Sequence, residues 1–280
     1  MKNTKTFIKN LINFFIHIIV KVKKDDIFAL SSQLAYYLIL SFFPFIIFLM
    51  TLIGFSSLES VDVIDVLNSI LPKSIVEIIQ STIKDVFDNQ YTGLLSVSIL
   101  LALWTSASGF RAVIKGVNKA YNFKETRSFI KRTIISMVGI FGLAMIIIIA
   151  LTIIVFGKVI GGYIQKIFPY YNIIVYLWII FRYVFMLAIS ILIFTIIYSV
   201  APAQRLPYKS VIPGAVFSTC GWAILSLGFS FYINNFRNFS RFYGSLGAVF
   251  ILITWLFLIS FIFILGVEIN CVLSKMKKKL

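Results

Sequence analysis

With 280 residues, 60% of them hydrophobic and only 13% charged, the chain is too greasy for a water-soluble domain, which carries about a quarter charged residues. Its formal net charge of +16 invites a nucleic-acid partner, but the basic residues flank long apolar runs, the pattern that marks the cytoplasmic side of a membrane protein. Cys220 and Cys271 lie in or beside apolar segments with no Cys or His at ligand spacing, so neither a disulfide nor a metal site is expected.

Residues 5–24, within a cytoplasmic segment 1–25, read as an amphipathic helix lying on the membrane. Ile8, Leu11, Ile12, Phe15, Ile18, Ile19 and Val22 fall on one face, and Lys9, Asn10, Asn13, His17, Lys21 and Lys24 on the other. No small-residue cleavage site follows, so the anchor reading is preferred to a signal peptide. Residues 26–272 then carry six apolar stretches, at about 29–53, 92–110, 134–157, 172–200, 213–234 and 245–270, each long enough to cross a bilayer core needing ~20 residues. Sorted on that map, nineteen Lys and Arg fall on one side and six on the other, with Arg182 alone inside a span. The chain therefore reads as an all-α integral membrane protein of six transmembrane helices, with N- and C-termini cytoplasmic and a basic cytoplasmic tail at 273–280.

The first span places Gln33, Tyr37, Ser41 and Pro44 on one face. Proline frees a backbone carbonyl, which a membrane tolerates only where protein or water satisfies it, so this face is expected to point inward. It lines either a polar cavity or a locally satisfied kink. The outer loop 54–91 reads as two short amphipathic helices parted by Pro72, with Val61, Ile64 and Leu67 on the first and Ile75, Ile79, Ile83 and Val86 on the second. Its acids are Glu59, Asp62, Asp65, Glu77, Asp85 and Asp88, and a cap over helix ends is favoured over a lid.

On the second span Ser98, Ala102, Thr105, Gly109, Ala112 and Gly116 follow steps of four and three along one side. Lipid supplies no hydrophobic drive, so small residues that admit a second helix are read as packing, in preference to a small-walled polar path. Gly214, Ser218, Gly221 and Gly228 suggest the same on the fifth span. Arg182 lies nearer the outer end of the fourth span. A mid-membrane arginine costs about 2.5–3.5 kcal/mol on insertion scales, so it is expected to face the bundle rather than snorkel. Glu268, the only acid in the last five spans, is expected to meet cytoplasmic water beside Asn270 in preference to carrying protons.

No phosphate-binding Gly-x-x-x-x-Gly-Lys loop, Gly-x-Ser-x-Gly elbow or His-Glu-x-x-His is present. Cytoplasmic acids reduce to Asp25, Asp26 and Glu125 with Glu268 at the border, thin material for a two-metal nuclease.

Several long motifs occur in order: Ala35-Tyr-Tyr-Leu-Ile-Leu-Ser-Phe-Phe-Pro44, Leu103-Trp-Thr-Ser-Ala-Ser-Gly-Phe-Arg-Ala112 with Asn118-Lys-Ala-Tyr121, Ala201-Pro-Ala-Gln-Arg205 before Pro213-Gly-Ala215, and Tyr243-Gly-Ser-Leu-Gly247 with Gly266-Val-Glu-Ile-Asn270. Together they resemble the YihY/BrkB family of bacterial inner-membrane proteins over about residues 26–270. The resemblance implies a six-helix, multi-pass protein of the bacterial cytoplasmic membrane that is not an enzyme, an earlier ribonuclease label being regarded as mistaken. It also suggests moving or accommodating amphipathic envelope molecules. It carries over no catalytic residue. The matching Tyr36, Tyr37, Pro44, Trp104, Arg111, Tyr243, Gly244, Glu268 and Asn270 are candidates for structure or function without distinction.

The leading expectation is transport or flipping of a lipid or other amphipathic anion. Its polar path would draw on Gln33, Tyr36, Tyr37, Ser41, Pro44, Trp104, Arg111, Arg182, Glu268 and Asn270, with Arg111 and Lys115 at the cytoplasmic rim suited to a phosphate headgroup. The partners expected are membrane lipids and that substrate, with no nucleic acid and no cofactor. A non-transporting scaffold for envelope partners is the alternative, and a membrane-bound ribonuclease using Asp25 and Asp26 the third.

Overall fold

A computed structural model describes residues 2–54, isolated helical positions between 61 and 80, and residues 95–167, 172–235 and 245–277. Among them every regular element is a helix: α1 Lys2–Lys24, α2 Ile27–Gly54, α3 Leu95–Tyr121, α4 Phe129–Ile167, α5 Asn172–Val200, α6 Tyr208–Asn235 and α7 Ser245–Lys277. Each of the six apolar stretches falls on one helix from α2 to α7, and most of these helices run past the predicted ends.

Among the described residues four segments are long and apolar enough to cross a membrane: Phe129–Ile149, Tyr176–Val200, Tyr208–Phe229 and Val249–Met276. Ile27–Phe42 on α2 is a shorter apolar stretch. α3 is more polar because Thr105, Ser106, Ser108, Arg111, Lys115 and Lys119 share its length. Loop residues Ile75, Ile79, Ile83 and Val86, and Pro72 between the two expected loop helices, lie outside the described residues. Of the same loop, Ile64 and Val76 are buried in helical positions against α2, α3 and α4.

Successive helices from α2 to α7 pack as neighbours, α2 against α3 most extensively although a long loop separates them in sequence, and α7 closes the ring onto α2. α1 leans on α7 alone among its well-populated contacts. The main core gathers Ile27, Leu30 and Leu34 of α2, Ala112, Val117 and Ala120 of α3, Tyr198 of α5, and Phe263, Ile264 and Val267 of α7. The outer faces are apolar as well: Ile130, Ile134, Val138, Phe141, Met145 and Ile149 form an exposed stripe along α4. Such a stripe is costly in water and natural in lipid.

Helix ends decide what meets at one end of this ring. α3 stops at Tyr121 because Asn122 takes a left-handed φ of 57°, which Asn tolerates, and the Phe123 and Asn122 N–H groups donate to Asn118 O and Lys119 O at 2.9 and 3.1 Å. Asp26 does the same after α1, with φ 47°. The two sharp stops, with the short turn 201–207 between α5 and α6, bring the ends of α1 and α3, that turn and the end of α7 within hydrogen-bond reach of one another.

Candidate functional site

At that end Lys21 of α1 enters the bundle. Its ammonium donates to Asp25 Oδ2 at 2.6 Å, to Ala120 O at 2.7 Å and to Glu268 Oε2, and Glu268 is fully buried. This corrects two sequence expectations. Lys21 does not lie on an outward polar face, and Glu268 does not meet water. α1 is rotated so that Ile12, Phe15, Ile16 and Ile19 are exposed while Lys21 turns inward. A buried carboxylate without a cation costs several kcal/mol, and that requirement outweighs the helix's own amphipathic pattern. Burial pushes the Lys21 pKa down, but the Asp25 and Glu268 carboxylates outweigh it and hold the value above the ordinary 10.5.

Two residues on, Asn270 braces α6. Its Oδ1 accepts from Gly214 N at 2.6 Å and its Nδ2 donates to Val211 O at 3.0 Å. The brace straddles Pro213, which has no N–H and weakens the helix there. A Cβ on Gly214 would collide with Gly266 O, and one on Gly266 with Ser218 Oγ. The α6–α7 seam is therefore closed to the backbone, and Tyr198 completes it by donating to Phe263 O at 2.8 Å beside Ser218 Oγ.

A third group ties the turns. Asn118 donates to Glu125 Oε2 at 2.8 Å and accepts from Ala203 N at 2.7 Å, while Arg127 donates to both Glu125 oxygens and to Ala201 O. The Arg127 guanidinium, chiefly, holds the Glu125 carboxyl below the usual glutamate range. This explains why the Asn118 and Ala201-Pro-Ala motifs occur together.

Beside this latch opens a cleft of about 390 Å³, within the roughly 300–1,000 Å³ of small-ligand sites. Arg111, Lys115, Lys119, Lys124 and Arg132 line it, with Glu125 the only acid among the described residues there. Among the described residues, buried Nη1 of Arg111 and Nε of Arg132 have no hydrogen-bond partner. An orphaned buried donor costs about 1–3 kcal/mol, more when charged. Burial first and the Arg132 charge second push the Arg111 pKa below its ordinary value. The cleft is a preformed, uncompensated positive site.

The residues expected to form one polar path are not gathered in one place. Glu268 and Asn270 join the buried cluster, and Arg111 joins the cleft. Ser41 is buried under Gly109, where a Cβ would strike its Oγ, and Tyr37 and Pro44 are half-buried. Gln33 is exposed, so the shared face of α2 does not point inward along its whole length. Tyr36 and Trp104 are also exposed, at 58% and 48%. The Arg182 side chain, Tyr243 and Gly244 lie outside the described residues.

Of the packing stripe on α3, Gly109, Ala112 and Gly116 are buried, Gly116 beneath Ile264 of α7; Thr105 is exposed, and the side chains of Ser98 and Ala102 are outside the described residues. Gly221 packs on Ile262, but Gly228 has nothing within 4 Å, correcting its assignment to packing. Sequence reasoning missed Arg132, Lys119 and Lys124 as partners of Arg111. The four-residue step Arg111, Lys115, Lys119 on one helix was the available signal.

Comparison with known proteins fits this architecture. The family model described as virulence factor BrkB matches residues 18–280. The chain belongs to the BrkB family. The Bacillus subtilis protein YfkH, named as ribonuclease-like, is 36% identical over 248 residues, which cover 89% of this chain and 90% of YfkH. A UPF0761 membrane protein of Pseudoalteromonas translucida is 31% identical over 86 residues, 31% of this chain and 29% of that protein. Another, from an Enterobacter strain, is 34% identical over 95 residues, 34% of this chain and 33% of its own. No solved structure matches. The ribonuclease wording belongs to YfkH. Here Asp25, one of the two acids a nuclease reading requires, is already bound to Lys21, and Asp26 is exposed at the start of α2.

Proposed function

We propose that this BrkB-family protein moves an anionic amphipathic envelope molecule, a lipid or one of similar chemistry, between the leaflets of the bacterial cytoplasmic membrane. The observation that carries the reading is the basic cleft: five cationic side chains and one neutralised acid at the end of a lipid-facing helical ring. In this reading α2 to α7 make six crossings, the cleft and both termini face the cytoplasm, and the exposed apolar side of α1 rests in the headgroup region. The excess of Lys and Arg on the segments that meet at this end supports that orientation.

The test is reconstitution into liposomes with labelled phosphatidylglycerol or phosphatidylcholine. Faster leaflet exchange of the anionic label than in empty vesicles is expected. Exchange equal to that of empty vesicles for both lipids overturns the reading. The closed α6–α7 seam favours a second reading, a non-transporting scaffold, which predicts no exchange but discrete envelope proteins co-purifying after mild solubilisation.

A further inference from the structure

We infer that the cleft between α3 and the start of α4 is a binding site for a phosphate monoester, the dianionic headgroup class, gripped by Arg111 and Arg132. The inference deepens the transport reading and rests on it only for the statement that the ligand is a lipid.

Three observations converge. Arg111 and Arg132 line the same cleft, Arg132 close enough to disfavour the Arg111 charge, and each has a buried N–H with no acceptor among the described residues. An anion between them would relieve the repulsion and meet both free donors. The only acid of the cleft, Glu125, cannot serve: its oxygens are held by Arg127 and Asn118 in the latch that joins the turns. The cleft thus keeps its positive charge because its own carboxylate is spoken for. Finally, Arg132 lies in the first turn of α4, where the helix macrodipole favours negative charge and works against a cation.

The donor set selects among anions. A guanidinium fork matches paired phosphate oxygens, and two forks require an oxygen-rich group. A phosphate monoester offers three oxygens and a charge of about −1.5 to −2 at pH 7. A diester headgroup has two free oxygens and one charge. Lys115, Lys119 and Lys124, all exposed, add long-range attraction at the mouth without fixing geometry. The same chemistry is met in a lipid such as phosphatidic acid and in a soluble monoester such as glycerol 3-phosphate, and the two are separable by experiment.

The full chain is placed in phosphatidylcholine nanodiscs containing phosphatidic acid or phosphatidylglycerol at equal mole fraction, and in parallel titrated with glycerol 3-phosphate or inorganic phosphate. Thermal unfolding and lipid retention by native mass spectrometry are read for wild type, R111Q, R132Q and K209Q, the last an exposed lysine of α6 outside the cleft. Phosphatidic acid should bind wild type and K209Q at least tenfold more tightly than phosphatidylglycerol, and R111Q and R132Q should lose that preference. Should R111Q not fold, K115Q carries the same prediction with a loss of two- to threefold. Equal binding of the two lipids, or an unchanged preference in R111Q and R132Q, overturns the proposal. Arginine-dependent binding of the soluble monoesters alone keeps the site and removes the lipid as its ligand. Arginine-dependent binding of phosphatidic acid without leaflet exchange in liposomes keeps the site and removes the transport reading.

Discussion

The two charged clusters at the basic end of the ring are built on opposite principles. Around Lys21 one ammonium meets two carboxylates, the group is buried, and its hydrogen bonds tie α1, α3 and α7 together. Around Arg111 the cations outnumber the acid, the only carboxylate is engaged elsewhere, and the space is open. Buried charge that is paired within the fold holds structure in place. Charge left unpaired beside a cavity is stored for something that arrives from outside. Proximity in the fold does not make the two clusters one site.

The largest expected effect breaks the first cluster. Lys21→Met leaves Asp25 and Glu268 facing each other without a cation, and should destabilise the protein by about 3–5 kcal/mol, measured by denaturant titration in detergent. The double change Lys21→Met with Glu268→Gln should recover part of that loss, because the fully buried Glu268 charge is then gone and only Asp25 is left without its cation. The pH sign is also set. The Lys21 pKa is raised, so its contribution is complete below about 10.5 and is lost as pH climbs through the folded value. Equal losses in single and double variants would remove the ion pair from the account.

Gly266→Ala comes next. Its Cβ would strike Ser218 Oγ, with the Tyr198 hydroxyl at 2.7 Å and Gly214 O at 2.9 Å, so a cost of about 1–3 kcal/mol is expected. Gly228→Ala, in open space, should stabilise α6 by roughly 0.5–1 kcal/mol and serves as the contrast. A cost at Gly228 as large as that at Gly266 contradicts the tight seam.

The latch beside the cleft gives the smaller, pH-dependent effect. The Glu125 pKa is depressed, so its contribution is present above the ordinary glutamate value near 4.5 and disappears as pH falls through the lower folded value. Stability followed from neutral to acid pH should decline less steeply in Glu125→Gln than in wild type over that window. Parallel curves would show that the latch adds nothing.

Much of this was legible in the sequence. Apolar runs of bilayer length give the helices, because in lipid a backbone must satisfy itself, and the six stretches each fall on one. The small residues Gly109, Gly116 and Gly214 mark close approaches because only a missing side chain lets helices touch there. What the sequence hid was rotation. The pattern of α1 put Lys21 outward, since amphipathicity assumes one solvent on each face, whereas the burial of Glu268 on a distant helix decides which way α1 turns. Likewise the pairing of Arg111 with Arg132 depends on the sharp stop at Asn122, a local φ that no periodicity announces. Gln33 suggested a path from the face it shares with Tyr37, Ser41 and Pro44, and Tyr36 and Trp104 from motif membership, and all three sit on the outside.

The contrast between a paired and an uncompensated cluster is tested most directly by salt. Salt screens exposed charges over a Debye length falling from about 10 Å at 0.1 M to about 3 Å at 1 M, while buried pairs are screened far less. Unfolding free energy, measured with sodium chloride across that range, should rise for wild type as repulsion in the cleft is damped. It should rise distinctly less for Arg111→Gln, from which one of the repelling charges is gone. A wild-type stability that falls with salt, or an identical slope in Arg111→Gln, contradicts the claim that the cleft holds unpaired positive charge.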